Sequence, residues 1–278
     1  MAEVEAQPMH PARRGMYVLP SLFTSGSIAL GYYIIMQSIR GSVMADPAVS
    51  AAAFDHASLA IAFAILFDGL DGRIARMTNT SSAFGKELDS LADVITFGVA
   101  PSLLAYLWGV RQLPPSSHPE IEARLMHFGV VVCFLFLICG ACRLARFNIS
   151  VNPQPRNPGR PGRKYFVGMP IPAGAGVLAA VIHFEGGSPV HNLWLSLVWL
   201  GLVAFVGFLM VSSWRFWSGK EIDTNTRKPG RVLVILVVVI GIIVEWDQIA
   251  LLVIALGYLV SGVMARLAYS WERRAHAA

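Results

Sequence analysis

Charge is what this chain has least of. Of its 278 residues only 14% are charged, against 55% hydrophobic, and the mean hydropathy is +0.58. A soluble domain carries roughly 25% charged residues, so this surface cannot be solvated all round. The same shortage excludes a disordered chain, which needs the opposite balance. Cysteine is nearly missing as well. Cys133, Cys139 and Cys142 share one apolar segment and form no paired CxxC zinc pattern, which excludes a disulfide-stapled secreted module. They read as small packing residues within a helix. No internal repeat, collagen-like period or low-complexity tract occurs. Segments of about ten alternating residues, the mark of a transmembrane barrel, are also lacking.

What the chain does have is long apolar runs. Eight can be placed, at 17–37, 57–77, 88–110, 126–147, 168–184, 193–214, 232–246 and 248–268. A helix needs about 20 apolar residues to cross a hydrocarbon core of about 30 Å, and it satisfies its own backbone while doing so. The first run follows Arg13 and Arg14 but exceeds the signal-peptide core of about 7–15 residues, so it is read as a retained span. The expectation is an all-α integral membrane protein, a polytopic bundle of about eight transmembrane helices.

The positions of the few charges set an orientation. Lysine and arginine gather on the cytoplasmic side of membrane proteins. With the amino terminus inside, 19 of the 22 basic residues fall on inside segments, and only Arg40, Arg111 and Arg124 fall outside. Both termini are therefore expected to be cytoplasmic, in the cytoplasmic membrane of a bacterium-like cell. The net charge of +5 then reports anchoring to anionic lipid, and no nucleic-acid partner is expected. The chain divides into a cytoplasmic amino-terminal segment (1–16), one membrane domain (17–270) and a cytoplasmic tail (271–278).

Smaller features follow from the same layout. The Pro-, Gly- and Arg-rich segment 149–167 reads as an ordered loop or lid. Asp55-His56 and Glu245 to Asp247 read as caps of outside loops. Trp194, Trp199, Trp214 and Trp217 lie near span ends, as interface belts do, and Pro101 is expected to kink the third span.

The acidic residues are distributed differently from the basic ones. Four of the eight aspartates lie in the 26-residue window 68–93. On a helix, Asp68, Asp71, Gly72, Ala75 and Arg76 share one face; after a polar turn, so do Gly85, Asp89 and Asp93. Two adjacent antiparallel helices would present two carboxylates each across a cleft. Four such groups repel one another and are costly at membrane depth, and divalent cations relieve both problems. All-oxygen ligands favour Mg²⁺ or Mn²⁺, and two such ions about 3.5–4 Å apart make the clamp used for displacement at phosphorus. Gly72 and Gly85 lack side chains where a nucleotide or diphosphate would approach backbone. Each costs helix stability of roughly 1 kcal/mol relative to Ala, so a reason for them is expected. A cation-coupled transporter is the alternative from another class, although transport sites tend to lie near the midplane on broken helices.

The run Asp68-x2-Asp71-Gly72-x2-Ala75-Arg76-x8-Gly85-x3-Asp89-x3-Asp93 resembles the signature of the CDP-alcohol phosphatidyltransferases in every fixed position and spacing. The resemblance implies that Asp68, Asp71 and Asp89 hold one metal ion and that Asp68, Asp89 and Asp93 hold a second. It implies that Asp93 is the general base toward the acceptor hydroxyl. It also implies that Gly72, Ala75, Arg76, Ser82 and Gly85 bind a CDP-linked lipid, CDP-diacylglycerol.

Three further stretches are similar to the phosphatidylserine synthase branch of that family. They are Ala141 to Asn148 (ACRLARFN), Phe97 to Pro101 (FGVAP) and Gly168 to Ala173 (GMPIPA). One departure is Pro20-Ser21, where the family usually has Pro-Asn. The implied acceptor is L-serine, with glycerol 3-phosphate, an inositol phosphate and choline as alternatives. A carboxylate-bearing acceptor suits guanidinium, which makes Arg143, Arg146 and Asn148 the candidate acceptor residues. A phospholipase-D-like route is not expected, since none of the seven histidines has Lys two residues later. Membrane lipids are the expected surroundings, and a homodimer is left open.

Overall fold

The computed structural model describes residues 11–78, 83–114, 119–149, 165–217 and 247–275. Helix dominates, as the apolar runs require. In chain order the elements are α1 (Pro11–Val43), α2 (Pro47–Thr78), α3 (Ala83–Asp93), a π-helical turn (Val94–Val99), α4 (Ala100–Gly109) and α5 (Pro119–Ile149). Then come β1 (Tyr165–Val167), α6 (Ile171–Phe184), α7 (Leu193–Val211), β2 (Arg215–Trp217) and α8 (Asp247–Ala275). Among the described residues, five segments are long and apolar enough to cross a membrane: Pro47–Gly69, Phe84–Gly109, Pro119–Ile149, Leu193–Val211 and Asp247–Tyr269. The expected span 232–246 lies outside the described residues.

Packing follows from where small and large residues meet. α1 lies along α2, α5 along α7, and α2 along α6. Phe54, Ile61, Phe97, Leu104, Phe136, Ile171, Leu178 and Val203 fill the shared interior. Helices come close where a glycine leaves room. The clearest case is Gly109, whose missing Cβ is replaced by the Trp199 indole. That ring donates from Nε1 to the Ala105 carbonyl at 2.9 Å and meets Trp108 edge-on at 4.9 Å. Trp199 is therefore a buried core residue rather than part of an interface belt, while Trp194 and Trp217 do stay exposed. Phe63, Leu66, Phe134, Leu135, Val198 and Val253 are exposed on the helix exteriors, as lipid-facing positions are.

Two expectations need correction and a third gains detail. The third span runs as one helical stretch, Phe84–Gly109, but not with uniform geometry. The turn from Val94 to Val99 widens to π geometry, with the Ala100 N–H reaching back to the Ile95 carbonyl. Pro101 follows directly, and its missing N–H and bulky ring disfavour a regular turn before it. The all-α expectation omits a short two-stranded antiparallel sheet. Residues 165–167 of the supposed loop pair antiparallel with 215–217, Phe166 opposite Phe216. Two three-residue strands carry too little periodicity to be read from sequence.

The other correction concerns Asp55, which is not an outside loop cap. α2 begins at Pro47, so Asp55 sits two turns inside it. Its Oδ1 lies 2.6 Å from Nδ1 of the buried His183 on α6, and Asp247 Oδ2 at the start of α8 lies 3.4 Å from Nε2. Asp247 also accepts from the Gln248 N–H at 2.8 Å, which is a cap contact of the kind expected. His183 thus joins α6 to α2 by a hydrogen bond, with the start of α8 close by, roughly 20 Å along α2 from Asp68 at 1.5 Å per residue. Asp55→Ala leaves a buried imidazole without its closest partner, a loss of about 1–3 kcal/mol. The expected result is a lower melting temperature in detergent, with the kinetic constants of the folded protein unchanged.

Candidate active site

The site begins where α2 runs out of apolar sequence. Its last turns carry Asp68, Asp71, Gly72, Ala75 and Arg76, and the helix continues through all five. The side chains of Asp71, Gly72, Ala75 and Arg76 lie outside the described residues, as does Ser82 altogether. The chain resumes as α3, which carries Gly85, Asp89 and Asp93 at the four-residue spacing of one face. Phe84, Lys86, Glu87 and Leu91 take the exposed side, whereas Gly85, Asp89 and Asp93 are half-buried.

Facing helices bring the acids together. One carboxylate oxygen from each of Asp68, Asp89 and Asp93 lies within 4.8 Å of the others. Asp93 is in hydrogen-bonding contact with Asp68 and within electrostatic reach of Asp89 and Arg143. Three half-buried carboxylates this close repel strongly unless a cation or proton intervenes. Oxygen donors alone, with no sulfur or imidazole among them, suit a hard cation such as Mg²⁺ or Mn²⁺. The donor set therefore fits the metal the signature implies.

The three acceptor candidates do different things. Arg143, on α5, is buried, and its guanidinium carbon lies 5.7 Å from the Phe147 ring centre and 5.9 Å from that of Phe166. Its Nε has no hydrogen-bond partner among the described residues. Aromatic rings hold the plane of a guanidinium while leaving its donors available. Arg146, one turn on, is committed to backbone. It donates to the carbonyls of Val211, Val167, Ser212 and Met210 at 3.0 to 3.4 Å. These include the carbonyls that end α7, which have no helical partner of their own. Gly168 makes this possible: its φ is +75°, and a Cβ there would meet Arg146 Nη2 at 2.9 Å. Asn148 donates from Nδ2 to Ser90 Oγ at 2.9 Å, which pins the end of α5 to α3 beside Asp89.

Sequence reading missed two neighbours of Arg143. Phe166 arrives on β1, and Tyr258 arrives from α8, more than 100 residues away in the chain. The Tyr258 hydroxyl donates to the Trp217 carbonyl at 3.1 Å and lies within electrostatic reach of Arg143. No local pattern marks either residue, since one belongs to a three-residue strand and the other to an apolar helix.

Comparison with known proteins supplies the family. A sequence model described as CDP-alcohol phosphatidyltransferase matches residues 17–199. A curated CDP-diacylglycerol–serine O-phosphatidyltransferase of Helicobacter pylori is 37% identical over 235 residues, which is 82% of each chain. Proteins of the same name from Mycobacterium leprae and Methanocaldococcus jannaschii are each 35% identical. The first covers 66% of this chain and 54% of its own, the second 56% and 61%. The matched region includes both aspartate helices and the π-helical turn, and on this footing the chain belongs to the CDP-alcohol phosphatidyltransferase family.

Proposed function

We propose that this protein transfers the phosphatidyl group of CDP-diacylglycerol to the hydroxyl of L-serine, releasing phosphatidylserine and CMP. The observation that carries the reading is the convergence of Asp68, Asp89 and Asp93 from both halves of the signature, with the buried Arg143 alongside. The names of the relatives support serine as acceptor.

Asp68, Asp71 and Asp89 would hold one divalent cation, and Asp68, Asp89 and Asp93 a second. Bound there, Mg²⁺ or Mn²⁺ supplies the positive charge that neutralises the diphosphate and the departing CMP. Gly72, Ala75, Arg76, Ser82 and Gly85 form the donor side, where the glycines leave backbone open to the nucleotide and the Arg76 guanidinium suits a phosphate. Asp93 accepts the proton of the serine hydroxyl. The freed oxygen forms a bond to the phosphorus that carries diacylglycerol, and the bond from that phosphorus to CMP breaks, its electron pair leaving with CMP. No covalent enzyme intermediate is required.

Arg143 is the better of the two arginines for the serine carboxylate, because Arg146 already spends its donors on four carbonyls. Arg143→Ala is expected to raise the KM for serine about 10- to 100-fold, the range for losing a charge-assisted contact of about 1.5–3 kcal/mol, with the donor KM little changed. Arg146→Ala uncaps α7 and is expected to lower thermal stability instead. Steady-state kinetics with each substrate varied in turn, beside melting curves, separate the two roles.

The topology belongs to the same reading. We take residues 17–270 as one catalytic membrane domain, 1–16 and 271–278 as cytoplasmic ends, and the active site as facing the cytoplasm. The charge distribution supports this arrangement. α1 coincides with a further expected span, and α6, at 14 residues, is shorter than the rest. The deciding experiment uses purified protein, labelled CDP-diacylglycerol, Mn²⁺ and a panel of alcohols. Metal-dependent CMP release with serine alone supports the proposal. Release with another acceptor reassigns the substrate, and none with any acceptor removes the reaction.

A further inference from the structure

The two acids of α3 are joined to the rest of their span by the π-helical turn, and Thr96 of that turn is hydrogen-bonded to α1. Thr96 is fully buried. Its hydroxyl donates to the Ser27 carbonyl of α1 at 2.9 Å, and the Ser27 hydroxyl lies 3.5 Å away. The approach depends on Gly31. A Cβ at that position would stand 2.8 Å from Thr96 Oγ1 and 3.1 Å from Thr96 Cα. Five residues earlier, Gly26 of α1 lies against the Phe67 ring, 3.7 Å from where its Cβ would be. Phe67 immediately precedes Asp68, and Thr96 lies three residues beyond Asp93, in the π-helical turn that continues α3. α1 therefore braces both aspartate helices, one beside Asp68 and the other just beyond Asp93.

A π turn has poorer geometry than an α turn and persists where its surroundings impose it, frequently at functional sites. Relaxing it changes the helical phase between α3 and α4, and with it the positions of Asp89 and Asp93 relative to Asp68. We propose that Thr96, through Ser27 and Gly31, is a positioning residue that holds Asp89 and Asp93 against Asp68 at the separation a bound divalent cation needs. Thr96 acts through α3 and touches no reacting atom. The proposal rests on the reading of the acidic cluster as a metal-dependent active site.

The test titrates full-length detergent-purified protein with Mn²⁺ alone. Bound ion is read by loss of the free Mn²⁺ resonance signal, and CMP release and melting curves are recorded beside it. Thr96→Val keeps the shape and removes the donor, while Ser27 retains its helical partner, the Gly31 N–H. Thr96→Val is expected to weaken Mn²⁺ binding about tenfold, the lower end for loss of a supporting contact behind a metal site. Saturating Mn²⁺ should then restore most of kcat, and Thr96→Ser should restore the affinity. Gly31→Ala, which displaces the hydroxyl without deleting it, should act in the same direction and carries the test if Thr96→Val does not fold.

Wild-type Mn²⁺ affinity in Thr96→Val, or in Gly31→Ala, overturns the proposal. So does a loss in Thr96→Val that Thr96→Ser fails to restore, because the role would then be packing alone. Wild-type protein that binds no Mn²⁺ defeats the metal-site reading and this proposal with it. Wild-type protein that binds Mn²⁺ but releases no CMP defeats only the assigned reaction.

Discussion

Asp93→Asn should reduce serine-dependent CMP release by at least about 10²- to 10⁴-fold, the range for removing a general base, while CDP-diacylglycerol still binds. The amide matches the carboxylate in size and can still offer one oxygen to a cation, but it cannot take a proton from the serine hydroxyl. Its neutrality also lessens the repulsion among Asp68, Asp89 and residue 93, so the fold should not suffer. The measurement is a rate of CMP release set beside equilibrium binding of labelled donor to the same preparation. Near-normal turnover would remove Asp93 from the base role, and loss of donor binding would place it in substrate binding instead.

Metal removal should have an effect at least as large. Chelation is expected to bring CMP release to background, and Mn²⁺ or Mg²⁺ to restore it. Ca²⁺ is expected to be a poor substitute, because its longer, more variable bonds to oxygen fit a compact carboxylate set badly. Asp68→Asn should mimic chelation in part, since Asp68 contacts Asp93 directly and serves in both proposed ion sets. That variant is expected to need much more Mn²⁺ for half-maximal rate, which a metal titration of CMP release would read. Activity that survives exhaustive chelation would show that the acids work as proton carriers only.

Much of the site was legible because it is local. Asp68 and Asp71, and then Asp89 and Asp93, keep helical spacing within one 26-residue window. A helix converts such spacing into a shared face with no help from the rest of the fold. The apolar runs were legible for the same reason, since crossing lipid depends on the composition of a continuous stretch.

What escaped was the part built from distant contacts. Arg143 and Arg146 look alike in sequence, three residues apart in one helix. They diverge because α7 ends against Arg146 while two aromatic rings close around Arg143. His183 carries no local signal, yet it bonds an acid of α2 and lies beside one of α8. Thr96 is an ordinary residue of an apolar run until Gly31 admits it to the Ser27 carbonyl.

By itself, then, the sequence determined the membrane class, the identity of the acidic residues and their division between two helix faces. All of these depend on composition and on spacing within a single helix. Only the tertiary structure decided that the two faces meet, which arginine is committed to backbone carbonyls, and what braces the π-helical turn beyond Asp93. Those outcomes depend on close approach between segments far apart in the chain, where one missing Cβ or one carbonyl at a helix end determines what a side chain can reach.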